Sequence, residues 1–197
     1  MTLVLASASG ARRDVLRAAG IKFEIQPAQI DERTAEAPLV AAGATPADIA
    51  LALAMIKATA VSALRPGDWV IGADQVLELD GERLTKPVDM AAARRQLLAL
   101  SGKTHELHSA IVCARDGEIV WQDADTARLT MRNLTPQSIG RYLAVAGEVA
   151  LSSVGAYQVE GRGIGLFAAI DGSHFTILGV PILPLLAFLR DKELIDT

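Results

Sequence analysis

An apolar run leads directly to a carboxylate in the stretch Trp69-Val70-Ile71-Gly72-Ala73-Asp74-Gln75. Its first three residues are apolar and predict a short buried strand. Asp74 follows a Gly-Ala pair at the point where a strand of an α/β sheet opens into a crevice, which is the usual place for a ligand. Small residues before a carboxylate let a substrate or metal approach the backbone. The alternative is an ordinary strand that ends in a turn aspartate, since Asp is common in turns.

Composition indicates a globular protein without a basic surface. Of 197 residues, 51% are hydrophobic and 21% are charged, which separates the chain from disordered proteins. This length suffices for one sizeable core, or for two lobes that share one sheet. Lys plus Arg is 19 and Asp plus Glu is 23, so the net charge is -4. That charge argues against a general nucleic-acid surface but allows a local basic pocket for a small anion.

Several features favour a cytoplasmic protein with no membrane or nucleic-acid partner. Met1 leads directly into apolar residues without a basic signal region. The longest mostly apolar run, residues 177–189, is broken by one glycine and two prolines, and it is shorter than the ~20 residues that span a bilayer. The single cysteine, Cys113, cannot form an internal disulfide and lies in an apolar segment that we interpret as core.

The first twenty residues predict a strand, a turn of small residues and a helix. These are Leu3–Ala6, Ser7–Gly10 and Ala11–Ala19, with Ser9 as the helix N-cap. Unpaired backbone N–H groups at the start of such a helix predict an anion site. Arg12 and Arg13 would add positive charge and bidentate geometry for phosphate. A capped surface helix with solvated arginines is an equally open interpretation of this segment.

A second group of charged residues precedes the Asp74 stretch. Ile30-Asp31-Glu32 is expected in a loop, where adjacent carboxylates could bind a hard cation or simply be solvated. Thr45-Pro46 predicts the start of a helix that runs to about Leu64. Its expected buried stripe is Ile49, Leu53, Ile56, Ala60 and Leu64. Lys57 lies beside that stripe, as a snorkelling surface lysine or as a cation that points at a bound anion.

The rest of the chain predicts further strands and helices, which together indicate an α/β fold with a mixed sheet. The expected strands are 77–79, which turns back through Asp80-Gly81, then 104–114, 118–132 and 166–170. The expected helices are 90–100 with Asp89 as N-cap, one that begins at Thr135-Pro136, and 182–189. Lys86 is held extended by Pro87.

Two motifs resemble known site signatures without matching them. His105-Glu106-Leu107-His108 has its second histidine one residue too early for the zinc motif H-E-x-x-H, and in a strand the two histidines would lie on opposite faces. The glycines of Gly161-Arg162-Gly163-Ile164-Gly165 are spaced wrongly for a dinucleotide site. We interpret them as a place of close backbone packing or a ligand-facing turn.

Eight short motifs, taken together and in order, resemble the Maf-like nucleoside triphosphate pyrophosphatases over nearly the whole chain. They are residues 5–13, Ile30-Asp31-Glu32, Lys57-Ala58, Gly72-Ala73-Asp74, Lys86-Pro87, residues 100–105, Gly155-Ala156-Tyr157 and Gly179-Val180-Pro181. The resemblance implies one Maf-like domain over residues 1–197, with a mixed twisted sheet and two lobes around a central cleft. It also implies homodimers, and hydrolysis of a nucleoside triphosphate to the monophosphate and pyrophosphate with Mg²⁺ or Mn²⁺.

The resemblance assigns roles to individual residues. Asp74 corresponds to the general base that activates water, and Glu32 and Asp74 are the expected metal ligands. The expected phosphate-binding residues are Ser7, Arg12, Arg13, Lys57 and Lys86.

Three positions bear on which nucleotide is used. Gln75 and Glu160 resemble the subgroup that acts on 7-methyl-GTP, whereas Ala11 lacks the aromatic ring found there in that subgroup. A carboxylate at 160 could accept hydrogen bonds from the N1–H and 2-amino group of guanine. Two alternatives stay open: the same chemistry on dTTP, UTP or CTP, and a nucleotide-binding regulator of cell division.

Overall fold

The computed structural model describes residues 1–196, which form a mixed sheet and flanking helices. In this range there are seven strands: β1 Leu3–Leu5, β2 Glu24–Ile25, β3 Trp69–Leu79, β4 Glu82–Leu84, β5 Thr104–Arg115, β6 Glu118–Met131 and β7 Phe167–Asp171. The same range has seven α-helices: α1 Gly10–Ala18, α2 Glu32–Ala41, α3 Pro46–Ser62, α4 Met90–Leu100, α5 Pro136–Ala146, α6 His174–Ile177 and α7 Ile182–Asp191. Two 3₁₀ segments, Gly147–Ser152 and Arg162–Leu166, complete the description. The predicted α/β class is confirmed.

The strands form one sheet with both parallel and antiparallel neighbours. Their order is β2-β1-β3-β5-β6-β7, and β4 pairs with β3 outside this path. β1 runs parallel to β2 and to β3, with Val4 opposite Val70. β4 runs antiparallel to β3, and β7 antiparallel to β6. The predicted mixed sheet is therefore confirmed.

The chain divides into two compact units. The first unit comprises residues 1–75, 108–125 and 173 onward, and the second comprises 76–107 and 126–172. A single domain over 1–197 with two lobes that share the sheet stays a prediction. Among the described residues no helix has both the length and the apolar character needed to cross a membrane.

The core of the first unit lies around β1, β3, β5 and the flanking helices α1 and α7. Its completely buried members include Leu5, Leu16, Ile71 and Leu185. Cys113 belongs to the same cluster, and burial raises the pKa of its thiol. The interpretation of this cysteine as a core residue is confirmed.

Asp74 lies inside a long strand, so the prediction that a strand ends before it is wrong. β3 continues through Asp74 to Leu79 and then turns into β4 through Asp80-Gly81, as the hairpin prediction required. The strand continues because Val76, Leu77 and Leu79 are buried apolar residues that extend the strand beyond Asp74. Two predicted strands are thus a single one.

Gly72 has a packing role that the sequence did not indicate. A Cβ atom at this position would lie 2.3 Å from the carbonyl oxygen of Ala54 and 2.7 Å from the Cβ of Ala58. The missing side chain therefore lets α3 pack directly on β3. The side of Gly72 that a Cβ would occupy is thus filled by a helix, and the approach of a substrate or metal to this backbone stays a prediction.

The start of α3 is as predicted, but its buried face is not. Thr45 and Asp48 form the capping box, with Pro46 in the first turn. The buried row follows steps of four residues, Ile49, Leu53, Lys57 and Val61. Leu64 lies beyond the end of the helix and is 71% exposed, while Ile56 and Ala60 are only partly buried. The predicted stripe changed to a step of three after Leu53 and so passed beside Lys57, which belongs to the buried face.

In the second unit the predicted helix starts are confirmed. Asp89 caps α4 through the backbone N–H of Ala92, and Thr135 caps α5 in a capping box. The glycine-rich segment packs backbone on backbone, because a Cβ at Gly163 would lie 2.4 Å from the carbonyl oxygen of Gln158. The interpretation of this segment as a place of close backbone packing is confirmed at Gly163.

Candidate functional site

One buried ammonium lies between two carboxylates in the first unit. Lys57 Nζ is 2.5 Å from Asp74 Oδ1 and 2.7 Å from Glu32 Oε1. Lys57 and Asp74 are each 7% exposed, whereas the side chain of Glu32 is 54% exposed. Lys57 is therefore neither a snorkelling lysine nor a solvated one: it is the cation that holds two acidic groups together.

Three elements bring these groups together. Asp74 is on β3, Lys57 is on the sheet-facing side of α3, and Glu32 is the first residue of α2. α2 was not predicted, since its sequence was expected to be a loop. Its N-cap is Asp31, which accepts from the backbone N–H groups of Arg33 and Thr34. The spacing of Asp31 and Thr34 is the signal that could have revealed it.

Burial governs the acidity of Asp74. Desolvation raises the pKa of its carboxyl above the ordinary value, and the nearby charge of Glu32 adds to this effect. The positive charges of Lys57 and Arg12 act in the opposite direction but do not cancel it. A carboxylate with a raised pKa is better suited to accept a proton from water near neutral pH.

Arg12 connects the start of α1 to two other parts of the first unit. Its Nη1 donates to Ser7 Oγ at 3.1 Å and to the carbonyl oxygen of Ala73 at 2.9 Å. Its Nε donates to the carbonyl oxygen of Gly179 at 3.2 Å. Burial lowers the pKa of Arg12, while Asp74 and Glu32 raise it. The guanidinium stays charged and adds a second cation next to Asp74.

The loop before α1 has the predicted cap and a buried hydroxyl. Ser9 is the N-cap and accepts from the backbone N–H of Arg12, which confirms that prediction. Ser7 is 7% exposed, and its Oγ also accepts from the backbone N–H of Ser9. Arg13 pairs with its exposed neighbour Asp14 at 3.2 Å, and Ala11 is half-buried on α1.

Gln75 bonds to its own chain. Its Nε2 lies 2.9 Å from Ser109 Oγ and 3.0 Å from the carbonyl oxygens of both Thr176 and Ile177. Ser109 Oγ donates to the same Thr176 carbonyl at 2.7 Å. The amide nitrogen of Gln75 thus ties β3 to α6, and any contact of Gln75 with a nucleotide base would fall to its amide oxygen.

Lys86 and Glu160 belong to the second unit. Lys86 is exposed in the segment between β4 and α4, directly before the buried Pro87. Glu160 is exposed just before the 3₁₀ segment Arg162–Leu166, and its charge contributes to raising the pKa of Tyr142. The structure therefore groups Ser7, Arg12, Glu32, Lys57 and Asp74 in the first unit, with Lys86 and Glu160 on the second.

Two acidic residues of the second unit form a further pair that was not predicted. Glu78 and Glu106 have carboxylate oxygens within 4.8 Å of each other. His108 follows Glu106 by two residues along β5, so both side chains leave the same face of that strand. Carboxylate groups can bind a divalent cation, although Glu106 also accepts from Arg128 Nε at 2.8 Å.

His105 makes a buried hydrogen bond in the second unit. Its Nε2 lies 2.7 Å from the hydroxyl oxygen of Tyr157, and both rings are next to Phe167. Within residues 1–196, His105 Nδ1 has no hydrogen-bond partner. Burial lowers the pKa of His105 to about 4, so the ring is neutral at neutral pH. This histidine therefore belongs to the buried core of the second unit.

Comparisons with known proteins agree on one family. A family model described as "Maf-like protein" matches residues 2–192. The 7-methyl-GTP pyrophosphatase of Brucella abortus biovar 1 (strain 9-941) is 57% identical over 194 residues, which is 98% of each chain. The 7-methyl-GTP pyrophosphatase of Mesorhizobium japonicum is 54% identical over the same share of each chain. The nucleoside triphosphate pyrophosphatase of Nitrobacter winogradskyi is 50% identical over 98% of this chain and 95% of its own.

Proposed function

Because the chain belongs to the Maf-like family, we propose that it is a nucleoside triphosphate pyrophosphatase, a hydrolase that acts on acid anhydrides. Its reaction converts a nucleoside triphosphate and water into the monophosphate and pyrophosphate. Relatives of matching length with this activity in their names support the proposal. The observation that carries it is the buried Asp74, whose pKa is raised and which lies beside the cation Lys57.

Asp74 acts as the general base. A water molecule attacks the α-phosphorus, its proton passes to the Asp74 carboxylate, and the bond to the β-phosphate oxygen breaks to release pyrophosphate. No covalent nucleophile is needed because pyrophosphate is a good leaving group. The raised pKa of Asp74 supports this role, since the carboxylate is then more basic than a solvated one.

The cations offset charge on the phosphates. Lys57 and Arg12 lie next to Asp74, and within residues 1–196 the Nη2 of Arg12 makes no hydrogen bond, so it is available to a phosphate oxygen. The turn at Ser7 and the start of α1 supply backbone donors. Arg13 and Lys86 complete the proposed phosphate-binding set.

Glu32 and Asp74 would hold the divalent cation, Mg²⁺ or Mn²⁺. These residues suit a hard cation because both are carboxylates, and because the two groups, from different elements, already converge on one cationic atom, Lys57 Nζ. When bound, the metal supplies Lewis acidity and lowers the pKa of a bound water. Lys57 then separates the two carboxylates and limits their mutual repulsion.

We further infer that the base is a modified purine, as in 7-methyl-GTP. Glu160 can accept two parallel hydrogen bonds from the guanine edge, and its charge favours a methylated, positively charged ring. Relatives named 7-methyl-GTP pyrophosphatase at 52–57% identity support this substrate. The small Ala11 supplies no aromatic ring for such a cation, so recognition falls mainly to Glu160 and Gln75.

A substrate panel tests this function. Pyrophosphate release by the purified protein with Mg²⁺ or Mn²⁺ is compared for 7-methyl-GTP, GTP, dTTP, UTP and CTP. We expect the highest kcat/KM for 7-methyl-GTP, and a Glu160→Gln protein that loses this preference while it still hydrolyses other nucleotides. A higher kcat/KM for a pyrimidine nucleotide would keep the chemistry and reject the assigned base.

The remaining assignments concern the assembly and the location of the enzyme. We propose one domain with two lobes around a cleft, a homodimer, and a cytoplasmic location. Light scattering coupled to size-exclusion chromatography measures the mass in solution. A mass equal to the 20.8 kDa of a single chain would reject the dimer.

A further inference from the structure

The second unit contains an arginine-lined cavity that the proposed reaction does not use. Its volume is about 700 Å³, which is the size of pockets that hold small ligands. Arg132, Arg141 and Arg162 line it, each from a different element: the residue after β6, the middle of α5, and the 3₁₀ segment before β7. It shares no residue with the group around Asp74.

The positive charge in this cavity is largely unopposed. Arg132 Nη1 donates to the carbonyl oxygen of Gly165 at 3.0 Å, which fixes one guanidinium. Within residues 1–196, Arg141 and Arg162 form no hydrogen bond or ion pair, and no Asp or Glu is among the described lining residues. All three arginines are exposed, so their guanidinium groups can reach an anion from solvent. An anion is therefore the ligand that this arrangement favours.

Helix α5 adds to the positive electrostatic potential in this cavity. Its N-terminus at Thr135 lies in the cavity wall, and its first turn contains no acidic residue. The positive end of the helix dipole thus faces the same space as the arginines. The charge of Glu160 contributes to the raised pKa of Tyr142, which lines the cavity. In the part of the chain described, Glu160 pairs with none of the three arginines.

The remaining wall is apolar. Val145 and Ile164 line the cavity and are 57% and 50% exposed. The half-buried ring of Tyr142 lies in the same wall. Guanidinium groups suit phosphate oxygens, and an apolar wall with an aromatic ring suits the face of a base. We propose that this cavity is a second nucleotide-binding site, in which Arg141 and Arg162 bind the phosphates.

Binding stoichiometry tests this site independently of turnover. GTP binding is measured by equilibrium dialysis on the full-length Asp74→Asn protein, which removes the proposed base and leaves the arginine cavity intact. Adding Arg141→Gln and Arg162→Gln should lower the bound nucleotide by about one per chain, or weaken that site at least about tenfold. Adding Arg95→Gln, which removes an exposed arginine of α4 outside the cavity, should change neither value. Equal binding in all three proteins would overturn the proposal.

A second measurement needs no substitution and so does not depend on the variants folding. The unmodified protein is treated with phenylglyoxal, and modification of each arginine is followed by peptide mass spectrometry with and without GTP. Protection of Arg141 and Arg162, with Arg95 still reactive, supports the site. Equal modification of these two arginines in both conditions contradicts it. If the protein proves inactive as a pyrophosphatase, both experiments still give a result for this site.

Discussion

Asp74 Oδ1 lies 2.5 Å from Lys57 Nζ, and each side chain has only 9% of its surface exposed. Neither charge could be buried alone without a large desolvation cost, so each makes the burial of the other possible. The sequence places them 17 residues apart, on α3 and β3. The close contact of that helix with that strand, which depends on Gly72, is what lets a lysine of the helix reach the carboxylate.

Removing the cation should destabilise the fold. In Lys57→Met, the buried Asp74 loses the cation that compensates its charge and must stay charged alone or take up a proton, which costs about 3–5 kcal/mol of unfolding free energy. Urea denaturation followed by circular dichroism measures this. Lys22→Met, at an exposed lysine, is the matched control and should cost less than about 0.5 kcal/mol. Similar midpoints for the two variants would mean that the pair is not buried in solution.

Removing both charges should restore much of the lost stability. In the double variant Lys57→Met, Asp74→Asn, both members of the buried ion pair are neutral, so the loss should be smaller than for Lys57→Met alone. A double-mutant cycle on the same denaturation assay gives the coupling between the two positions. Additive losses would contradict a direct interaction between the side chains.

Gly72→Ala should damage the contact between α3 and β3. The new Cβ would meet the backbone of Ala54 at 2.3 Å, and a backbone atom cannot move aside cheaply. We expect a loss of about 1–3 kcal/mol or more in thermal or urea unfolding, with lower activity because Lys57 moves relative to Asp74. Gly165→Ala is the control, since its Cβ would meet no atom within 4 Å. An unchanged Gly72→Ala protein would reject this packing.

His105 should make stability fall in mild acid. Its pKa is about 4 in the folded chain, against an ordinary value of 6.5. Between pH 4 and 6.5 the unfolded chain binds more protons at this histidine than the folded chain does. The contribution of His105 to the unfolding free energy is therefore complete above about pH 6.5 and is lost as the pH falls towards 4. The shift corresponds to about 3 kcal/mol.

Unfolding free energies between pH 4 and 7 measure this contribution. The difference between the wild-type and His105→Gln curves should narrow as the pH falls, because the glutamine does not titrate. His174→Gln, at an exposed histidine, is the matched control for the substitution itself. A constant difference for His105→Gln would show that His105 is not buried in its neutral form.

Local patterns predicted the elements well where capping residues and apolar runs agreed. Thr45-Pro46, Asp89 and Thr135-Pro136 each fixed a helix start, because their side chains satisfy N–H groups within the next turn. α2 was missed because it buries no residue completely, so it has no apolar stripe to reveal it. Its cap was visible in the sequence but was interpreted as a pair of loop acids.

The members of the site could be named from sequence, but their contacts could not. Four of the predicted site residues lie in the first unit: Asp74, Lys57, Glu32 and Arg12. Lys57, however, was expected beside the buried face of α3 instead of on it. A lysine can belong to the buried row of a helix only when a carboxylate compensates its charge. Here that carboxylate, Asp74, comes from another element. The bonds of Arg12 to the Ala73 and Gly179 carbonyls are likewise tertiary contacts without a local pattern.

Pyrophosphate release by Asp74→Asn shows whether Asp74 is the general base. We expect kcat to fall at least about 100-fold, because an amide cannot accept the proton of the attacking water. Asp171→Asn, at an exposed acid of β7 outside the site, serves as the control and should retain wild-type turnover. If a folded Asp74→Asn protein releases pyrophosphate at the wild-type rate, then Asp74 is not the base and the site is wrongly assigned.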